Sequence, residues 1–239
     1  MRYKNWNLIV RSLSSAVLLS LLGAVPGCSS QPESERAVAT RVLAEHVAKV
    51  AAPKGVLVIS NPFSQKSGRP AEVYAFEKAG IEGLKEGFGK IPVTVAFPKL
   101  NEVAARDPGS VAMDPETKTP LSFMVAENAF SELIQQNPNC DVVVTLIGLP
   151  VNLAGLEEWT QPGGPRFALL LVDWRMIGGR DAILRAFQNK KLVAAVANKP
   201  NAVEATGGDY KERFESRFLL VTGENVESLM REYPAVFGL

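Results

Sequence analysis

Residues 55–60 read GVLVIS, an apolar run without polar alternation that is followed directly by Asn61 and Pro62. Five further runs of this kind follow: IPVTVAF at 91–97, DVVVTLI at 141–147, FALLLV at 167–172, LVAAVA at 192–197 and FLLV at 218–221. Short valine-rich runs are typical of strands that are buried on both faces, as in parallel sheets. The sequence therefore predicts about six strands.

Helical patterns lie between these runs. The apolar positions that share a helix face are Val73, Phe76, Gly80, Leu84 and Phe88; Phe123, Ala126, Phe130, Leu133 and Ile134; Ile183, Leu184 and Phe187; and Val226, Leu229, Met230 and Tyr233. Strands that alternate with helices predict a sheet covered by helices on both sides. The predicted fold class is α/β, a three-layer α/β/α sandwich with a mostly parallel sheet.

Residues 100–120 break this alternation. They contain Asp107-Pro108-Gly109 and Asp114-Pro115 and few apolar residues. Proline and glycine at this density indicate a loop. A loop of this length in a compact domain is usually a lid, a binding element or disordered.

The amino-terminal residues have the composition of an export signal. Arg2, Lys4 and Arg11 occur without an acidic residue, and an apolar core runs over residues 13–25. This core has 13 residues, whereas a membrane-spanning helix needs about 20. Positive residues before a short apolar segment predict a signal peptide over residues 1–27.

The end of this leader, Val25-Pro26-Gly27-Cys28, resembles the lipobox of bacterial lipoproteins. The resemblance implies that Cys28 is lipid-modified, with palmitate among its acyl chains, and begins the mature chain. Each buried acyl methylene contributes about 0.8 kcal/mol, so two or three chains hold a protein on a bilayer. If the chain resembles a lipoprotein of Gram-negative bacteria, Ser29 after the cysteine implies the periplasmic face of the outer membrane rather than the cytoplasmic membrane. The alternative is a secretory leader that is cut nearby and leaves a soluble protein.

The chain after this leader divides into three predicted parts. Residues 28–36 form a lipidated tether, residues 37–52 an amphipathic helix and residues 53–239 the α/β domain. Removing residues 1–27 leaves 212 residues with 23 basic and 25 acidic side chains, a formal net charge of −2. This balance argues against a nucleic-acid partner.

The inventory of reactive residues favours a protein without a catalytic site, a metal or a cofactor. His46 is the only histidine, and it shares a helical stripe with Val42, Leu43 and Val50, so we expect it to pack rather than to react. Cys140 is expected to be an inert thiol before a strand. The sequence contains no GxSxG, HExxH or P-loop motif.

A binding surface is expected where parallel strands end, because ligands of open α/β sheets bind outside the carboxyl ends of the strands. The segments that follow the first, third, fourth and fifth strands are SNPFSQKSGRP (60–70), GLPVNL (148–153), DWRMIGGRD (173–181) and NKPNAVEATGG (198–208). The candidate ligand or partner-binding residues in them are Asn61, Ser64, Lys66, Arg69, Asn152, Asp173, Trp174, Arg175 and Asn201.

Two of these segments indicate a chemistry. The first resembles, in position and composition, the polar phosphate loop of flavodoxin-like proteins, and a solvated loop that enters a helix is the alternative. The segment after the fourth strand, 173–181, offers Asp173, Trp174 and Arg175 together, a flat ring between a carboxylate and a guanidinium. This set suits sugar recognition by stacking and hydrogen bonding, or it is a peripheral ion pair over a tryptophan that fills the end of the sheet.

The strand–helix alternation and the final FLLVTGENVESLM, residues 218–230, resemble the type I periplasmic sugar-binding proteins over about residues 53–237. Those proteins have two lobes, and the chain after the leader suffices for little more than one. The resemblance therefore implies one flavodoxin-like lobe with an open ligand face.

Three functions are compatible with these observations. The preferred one is a lipid-anchored, non-catalytic envelope protein that binds a partner protein or scaffolds an envelope complex. The first alternative is a solute-binding lipoprotein for a sugar-like or anionic small molecule, and the second is a hydrolase. A fold without a catalytic motif fits binding better than catalysis.

Overall fold

The computed structural model describes residues 34–202 and 208–239. The predicted signal peptide, Cys28 and most of the predicted tether lie outside the described residues. Within those ranges, no helix is long and apolar enough to cross a membrane.

The predicted strands form one sheet, and the prediction of a mostly parallel sheet of about six strands is confirmed. The strands are β1 (Val56–Ile59), β2 (Val93–Ala96), β3 (Val142–Thr145), β4 (Arg166–Leu170), β5 (Leu192–Asn198) and β6 (Phe218–Thr222). Their order in the sheet is β2-β1-β3-β4-β5-β6. The first five strands are parallel, whereas β6 pairs with β5 in the antiparallel sense.

Eight α-helices are described between and beside the strands. They are α1 (Glu35–Ala51), α2 (Ala71–Phe88), α3 (Glu102–Arg106), α4 (Ala129–Gln136), α5 (Glu157–Thr160), α6 (Gly179–Gln188), α7 (Tyr210–Arg217) and α8 (Val226–Glu232). The first helix begins two residues before the predicted range of 37–52. Ser34 sets this start, because its side chain accepts a hydrogen bond from the Ala37 amide at the exposed helix end.

The sheet has a separate apolar layer on each face, because successive side chains of a strand point to opposite sides. On one side, alternate residues of β1 and β3 such as Val58 and Val144 pack with Leu43 of α1 and Leu84 of α2. On the other side, Ile59 and its neighbours pack with side chains of α4, α6 and α8, among them Phe130, Ile183 and Met230. The predicted three-layer α/β/α sandwich is therefore confirmed.

The two outer strands differ from the inner ones. β1 and β3 are fully buried, as expected for strands with helices on both faces. β2 is partly exposed along its whole length and β6 is partly exposed at Phe218 and Leu220, so the expectation of burial on both faces is wrong for these two strands. The reason is their place at the two edges of the sheet, where each strand pairs on one side alone among the described residues.

Helix α2 lies close to α1 along a row of glycines at helical spacing, Gly80, Gly83 and Gly87. A Cβ atom on Gly83 would lie 2.2 Å from the carbonyl oxygen of Ala37, and one on Gly87 would lie 2.5 Å from that of Arg41. These distances are shorter than any normal contact. The glycines therefore allow the two backbones to approach.

The expected loop at 100–120 has a definite path in the structure. It contains α3 and the 3₁₀ helix Pro108–Ser110, and it leads into a second 3₁₀ helix, Pro120–Phe123. Phe123 and Ala126 therefore do not belong to the helix stripe assigned to them from the sequence, since α4 begins only at Ala129.

Candidate functional site

The carboxyl ends of β1 to β5 lie at one end of the sheet, called here the carboxyl end. The antiparallel β6 starts there, at Phe218, directly after α7. Helix α1 also begins there, because Arg36 in its first turn bonds the Glu77 carboxylate, which also accepts a hydrogen bond from Ser60, the residue after β1. The segments predicted to carry the site thus share one end of the molecule.

A buried polar cluster lies where β1 ends. The carboxylate of Glu77, on α2, is 3% exposed. It accepts hydrogen bonds from the hydroxyl of Ser60, from the Asn61 amide at 3.1 Å and from the guanidinium of Arg36 at 3.1 Å. Three donors compensate the loss of water around this carboxylate. The cluster therefore fixes α1 and α2 to the end of β1.

Arg36 is 9% exposed, and its guanidinium lies 4.2 Å from the centre of the Phe76 ring. Burial lowers the pKa of Arg36, while the charge and the hydrogen bond of Glu77 oppose this shift. The Nε atom of Arg36 is buried and has no hydrogen-bond partner within the described ranges. Phe76 itself is 55% exposed, so much of its side chain faces solvent beside a buried cation.

Arg36 and Phe76 border a cavity of about 350 Å³, a size in the range of small-molecule sites. Its opposite wall is formed by the ends of β4 and β5, with Leu171, Asn198 and Lys199. Leu171 adopts a φ of 50°, a conformation that is uncommon for a residue other than glycine. Backbone of this kind is concentrated at functional sites, and here it shapes the cavity wall.

Four of the predicted residues lie together in the segment after β1. The side chain of Asn61 accepts a hydrogen bond from the Phe63 amide at 2.9 Å, and the hydroxyl of Ser64 donates to the Asn61 carbonyl at 2.7 Å. Lys66 and Arg69 place their cations 5.5 Å and 4.7 Å from the centre of the Phe63 ring. These contacts stabilise the segment itself.

Asp173 and Arg175 form an ion pair at the end of β4. The Asp173 carboxylate is 2.9 Å from Arg175 Nη2 and accepts the Lys118 amide at 3.2 Å. Burial alone would raise the pKa of Asp173, but the hydrogen bonds and charge of Arg175 and the Lys118 amide outweigh it and lower that pKa. Arg175 also contacts Asp114 at 3.0 Å and Glu116 at 3.3 Å. The pair thus fastens the segment 114–118 to β4.

Trp174 does not offer a stacking face. It is 1% exposed, and its ring lies 4.8 Å from that of Phe237 and 6.4 Å from that of Phe187. The expectation of a sugar-stacking tryptophan is therefore wrong. The structure shows the other alternative, an ion pair over a tryptophan that fills the end of the sheet, because the large ring is buried more favourably than exposed.

Asn152 and Asn201 form no hydrogen bond with the segment after β1 or with the Asp173–Arg175 pair among the described residues. Asn152 accepts the Gly155 amide at 3.1 Å and donates to Glu127 at 3.1 Å. Asn201 is exposed with a φ of 56°. The nine predicted residues share the carboxyl end, yet no hydrogen bond or ion pair among the described residues joins the segments after β1, β3, β4 and β5 at these positions.

Arg36, which borders the cavity, and its buried partner Glu77 were not among the residues predicted from the sequence, although the sequence carries a signal for both. Glu77 is spaced three and seven residues from Gly80 and Leu84 of its own apolar stripe, and Arg36 is spaced seven residues before Leu43. A charged residue on an apolar stripe is buried only with a partner. Within the described ranges, no group of three histidine, cysteine, aspartate or glutamate residues is placed to hold a metal ion.

No protein-family model and no curated protein matches the chain. Among solved structures, it is similar to a galactofuranose-binding protein, with 11% identity, a TM-score of 0.47 and coverage of 85% of this chain and 64% of that one. An arabinose-binding protein from Geobacillus stearothermophilus has 13% identity and a TM-score of 0.43, with coverage of 81% and 62%. A periplasmic solute-binding protein of an ABC transporter from Actinobacillus succinogenes, with bound D-allose, has 9% identity and a TM-score of 0.44, with coverage of 82% and 63%.

The chain spans 42% to 64% of the length of the solved structures it resembles. These similarities concern the backbone fold alone.

Proposed function

We propose that the α/β domain binds a small hydroxylated or anionic solute in the cavity between Arg36, Phe76 and the end of β5. The observation that carries this proposal is the exposed Phe76 ring held against the buried Arg36 guanidinium, at 4.2 Å, on the wall of a 350 Å³ cavity. A preformed cavity with an apolar surface and few polar groups is typical of solute sites.

The chemistry of the wall selects the class of solute. The exposed ring of Phe76 provides a flat apolar surface, and Asn198, exposed at the end of β5, provides an amide donor and acceptor. The charged side chains along the wall are Glu35, Arg36, Lys199 and Arg217. Arg36 is paired with Glu77 and Glu35 with Arg213, whereas the ammonium of Lys199 donates to a carbonyl oxygen, that of Glu215, which leaves its charge in place. A solute with a carboxylate or several hydroxyl groups therefore fits better than a cation.

The position of the cavity supports the same function. It lies at the carboxyl ends of β4 and β5, where ligands of open α/β sheets bind. Solute binding is therefore favoured over the partner-protein function preferred from the sequence. The observation in its favour is a cavity of small-molecule size, whereas a protein partner is usually bound through a broad surface.

Isothermal titration calorimetry with D-galactose, D-ribose and D-glucuronate tests this proposal. The variant Phe76→Ala removes the exposed ring, and we expect it to weaken binding about tenfold while the fold is kept. Val103→Ala, an exposed apolar residue of α3, is the matched control and should bind as the wild type does. Equal affinity of the two variants, or no heat with any of the three sugars, contradicts the proposal.

The anchor at Cys28 is part of the proposed function. The variant Cys28→Ser should abolish acylation and release the protein from membranes, and membrane fractionation with mass spectrometry measures both. A serine variant that stays on membranes after salt and carbonate washes contradicts the anchor. The periplasmic face of the outer membrane is the proposed location, and separation of the two membranes on a density gradient tests it.

A further inference from the structure

A second concave surface lies at the opposite end of the sheet, called here the amino end. It is a groove of about 810 Å³ between the segment 159–164, which includes the end of α5, and helix α6. Arg166, the first residue of β4, and Lys191, which precedes β5, lie at its base. It shares no lining residue with the cavity at Arg36 and Phe76.

The charge of this groove has one sign. The cations that line it are Arg166, Arg185, Lys190 and Lys191, and no aspartate or glutamate in the described part of the chain lines it. They come from different elements, since Arg166 belongs to β4, Arg185 to α6 and the two lysines to the α6–β5 connection. Four cations around one opening create a positive potential that attracts an anion.

Most of this charge is not neutralised by the protein. Arg166 pairs with Asp141 at 3.0 Å. Arg185 and Lys190 are exposed and form no ion pair with any residue that the structure describes. Lys191 is half-buried, and its ammonium donates to two carbonyl oxygens, those of Glu158 at 2.8 Å and Gln161 at 2.9 Å. Carbonyl groups orient this cation but leave its charge in place.

The carboxylate of Glu158 is hydrogen-bonded to side chains of α4 and not to Lys191. The carboxylate of Glu158 accepts hydrogen bonds from Ser131 at 2.7 Å and from Gln135 at 3.3 Å, on α4. Burial lowers the pKa of Lys191, and the charge of Glu158 opposes this shift. A cation that is partly removed from water and lacks an ion-pair partner is stabilised when an anion binds beside it.

The wall opposite α6 leaves space for such an anion. Gly163 has a φ of 81°, and a side chain at this position would meet no atom within 4 Å. The neighbouring Gln161, Pro162 and Gly164 are exposed. A glycine-containing segment lets a ligand approach the backbone amides closely. Trp159 closes the inner side of the groove, where its ring packs on Phe167 at 5.2 Å.

We propose that this groove binds a small molecule with two or more phosphate or carboxylate groups. Arg185 provides a planar fork of donors that suits either group, and Lys190 and Lys191 provide point charges. The groove is too large for a single anionic group to contact the cations of all three elements, so a ligand with several anionic groups fits it better. The site is separate from the solute cavity and does not depend on it.

Calorimetric titration with inorganic pyrophosphate and with citrate tests this proposal and distinguishes the two anions. The double variant Arg185→Gln/Lys190→Gln removes the two unpaired cations, and we expect it to bind the preferred anion about 100-fold more weakly, since each lost charge-assisted hydrogen bond accounts for about tenfold. Both side chains are exposed, so the variant should keep its fold.

The matched control is Lys90→Gln/Arg231→Gln, which removes one exposed lysine and one exposed arginine outside the groove. It should bind as the wild type does. Tighter binding of pyrophosphate assigns the groove to phosphates, and tighter binding of citrate assigns it to carboxylates. No binding of either anion by the wild type, or an equal loss in both double variants, overturns the proposal.

Discussion

The guanidinium of Arg36 and the carboxylate of Glu77 lie 3.1 Å apart and are both buried, although the two residues are 41 positions apart in the sequence. This pair joins the first turn of α1 to the middle of α2, and through Ser60 it joins both helices to the end of β1. It therefore fixes the geometry of the wall that carries Phe76. The solute cavity and the stability of the fold depend on the same two side chains.

Breaking this pair should destabilise the fold strongly. Glu77→Leu leaves the Arg36 cation buried without a counter-charge, and we expect the free energy of unfolding in urea to fall by about 3–5 kcal/mol. The double variant Arg36→Leu/Glu77→Leu should lose less than the sum of the single variants, because it leaves no unpaired charge. Glu82→Gln is the control, since Glu82 pairs with Lys78 in an exposed i,i+4 arrangement, and it should change stability by less than about 0.5 kcal/mol. Additive losses would contradict the coupling of Arg36 and Glu77.

A methyl group on Gly83 should separate α1 from α2. The Cβ atom would lie 2.2 Å from the Ala37 carbonyl oxygen and 2.3 Å from Thr40 Oγ1. We expect Gly83→Ala to destabilise the fold by about 3 kcal/mol, as other overpacked cores do, in a thermal or urea transition. Gly223→Ala is the control, because a Cβ atom there meets its nearest neighbour at 3.8 Å. A Gly83→Ala protein with unchanged stability would show that the helices are not in such close contact.

Removing Arg175 should loosen the segment 114–118. Arg175→Gln eliminates the contacts with Asp114 and Glu116 and leaves Asp173, which is 3% exposed, without its cation. We expect amide hydrogen exchange at 114–118 to become about tenfold faster, while exchange in β1 stays unchanged. Arg231→Gln removes an exposed arginine of α8 and should change neither. Equal exchange in the two variants would mean that other contacts hold this segment.

The same pair should contribute to stability in a defined pH range. The pKa of Asp173 in the folded protein lies below its ordinary value of 3.8. Its contribution is therefore complete above pH 3.8 and is lost as the pH falls through the folded pKa. We expect the difference in unfolding free energy between the wild type and Arg175→Gln, measured by urea titration, to become smaller as the pH falls below 3.8. A difference that stays constant below this pH would contradict a contribution from ionised Asp173.

His46 should affect stability only below neutral pH. It is half-buried, and burial lowers its pKa below the ordinary value of 6.5, with an opposing effect of Glu224 and a further lowering by Lys49. Because the unfolded chain binds the proton more readily, the fold loses stability as the pH falls below 6.5 through the folded pKa. We expect His46→Gln to be less acid-sensitive than the wild type in urea titrations across this range. A loss of solute binding in this variant with an intact fold would instead assign His46 to the site.

The sequence predicted the strands well because each one is encoded locally. Runs such as GVLVIS and DVVVTLI contain no polar alternation, and two covered faces are the usual environment for such a run. Helices α2 and α6 were recognised for a similar reason, since their apolar residues recur at helical spacing. Helix α7 was not predicted, because Phe214 is its only fully buried residue and its pattern is mostly polar.

The candidate site was predicted less well, because a polar residue after a strand can either stabilise its own turn or bind a ligand, and the sequence does not distinguish the two roles. Asn61, Asn152 and Asp173 each accept a backbone amide of the turn in which they occur. Such local hydrogen bonds favour asparagine and aspartate in turns whether or not a ligand binds. The choice between the two uses depends on which neighbours reach the side chain, and these neighbours come from distant parts of the chain.

The sequence by itself determined the fold class, the number of strands and the shared end at which β1 to β5 finish, because short-range apolar patterns and parallel crossovers specify them. Only the tertiary structure decided the strand order, the antiparallel direction of β6, the burial of Trp174 and the pairing of Arg36 with Glu77. The pairing of Arg36 with Glu77 depends on the close approach of α1 to α2, and the burial of Trp174 depends on the packing of Phe237 against its ring. Contacts between residues far apart in the chain arise from the packing of whole elements, and no local pattern records them.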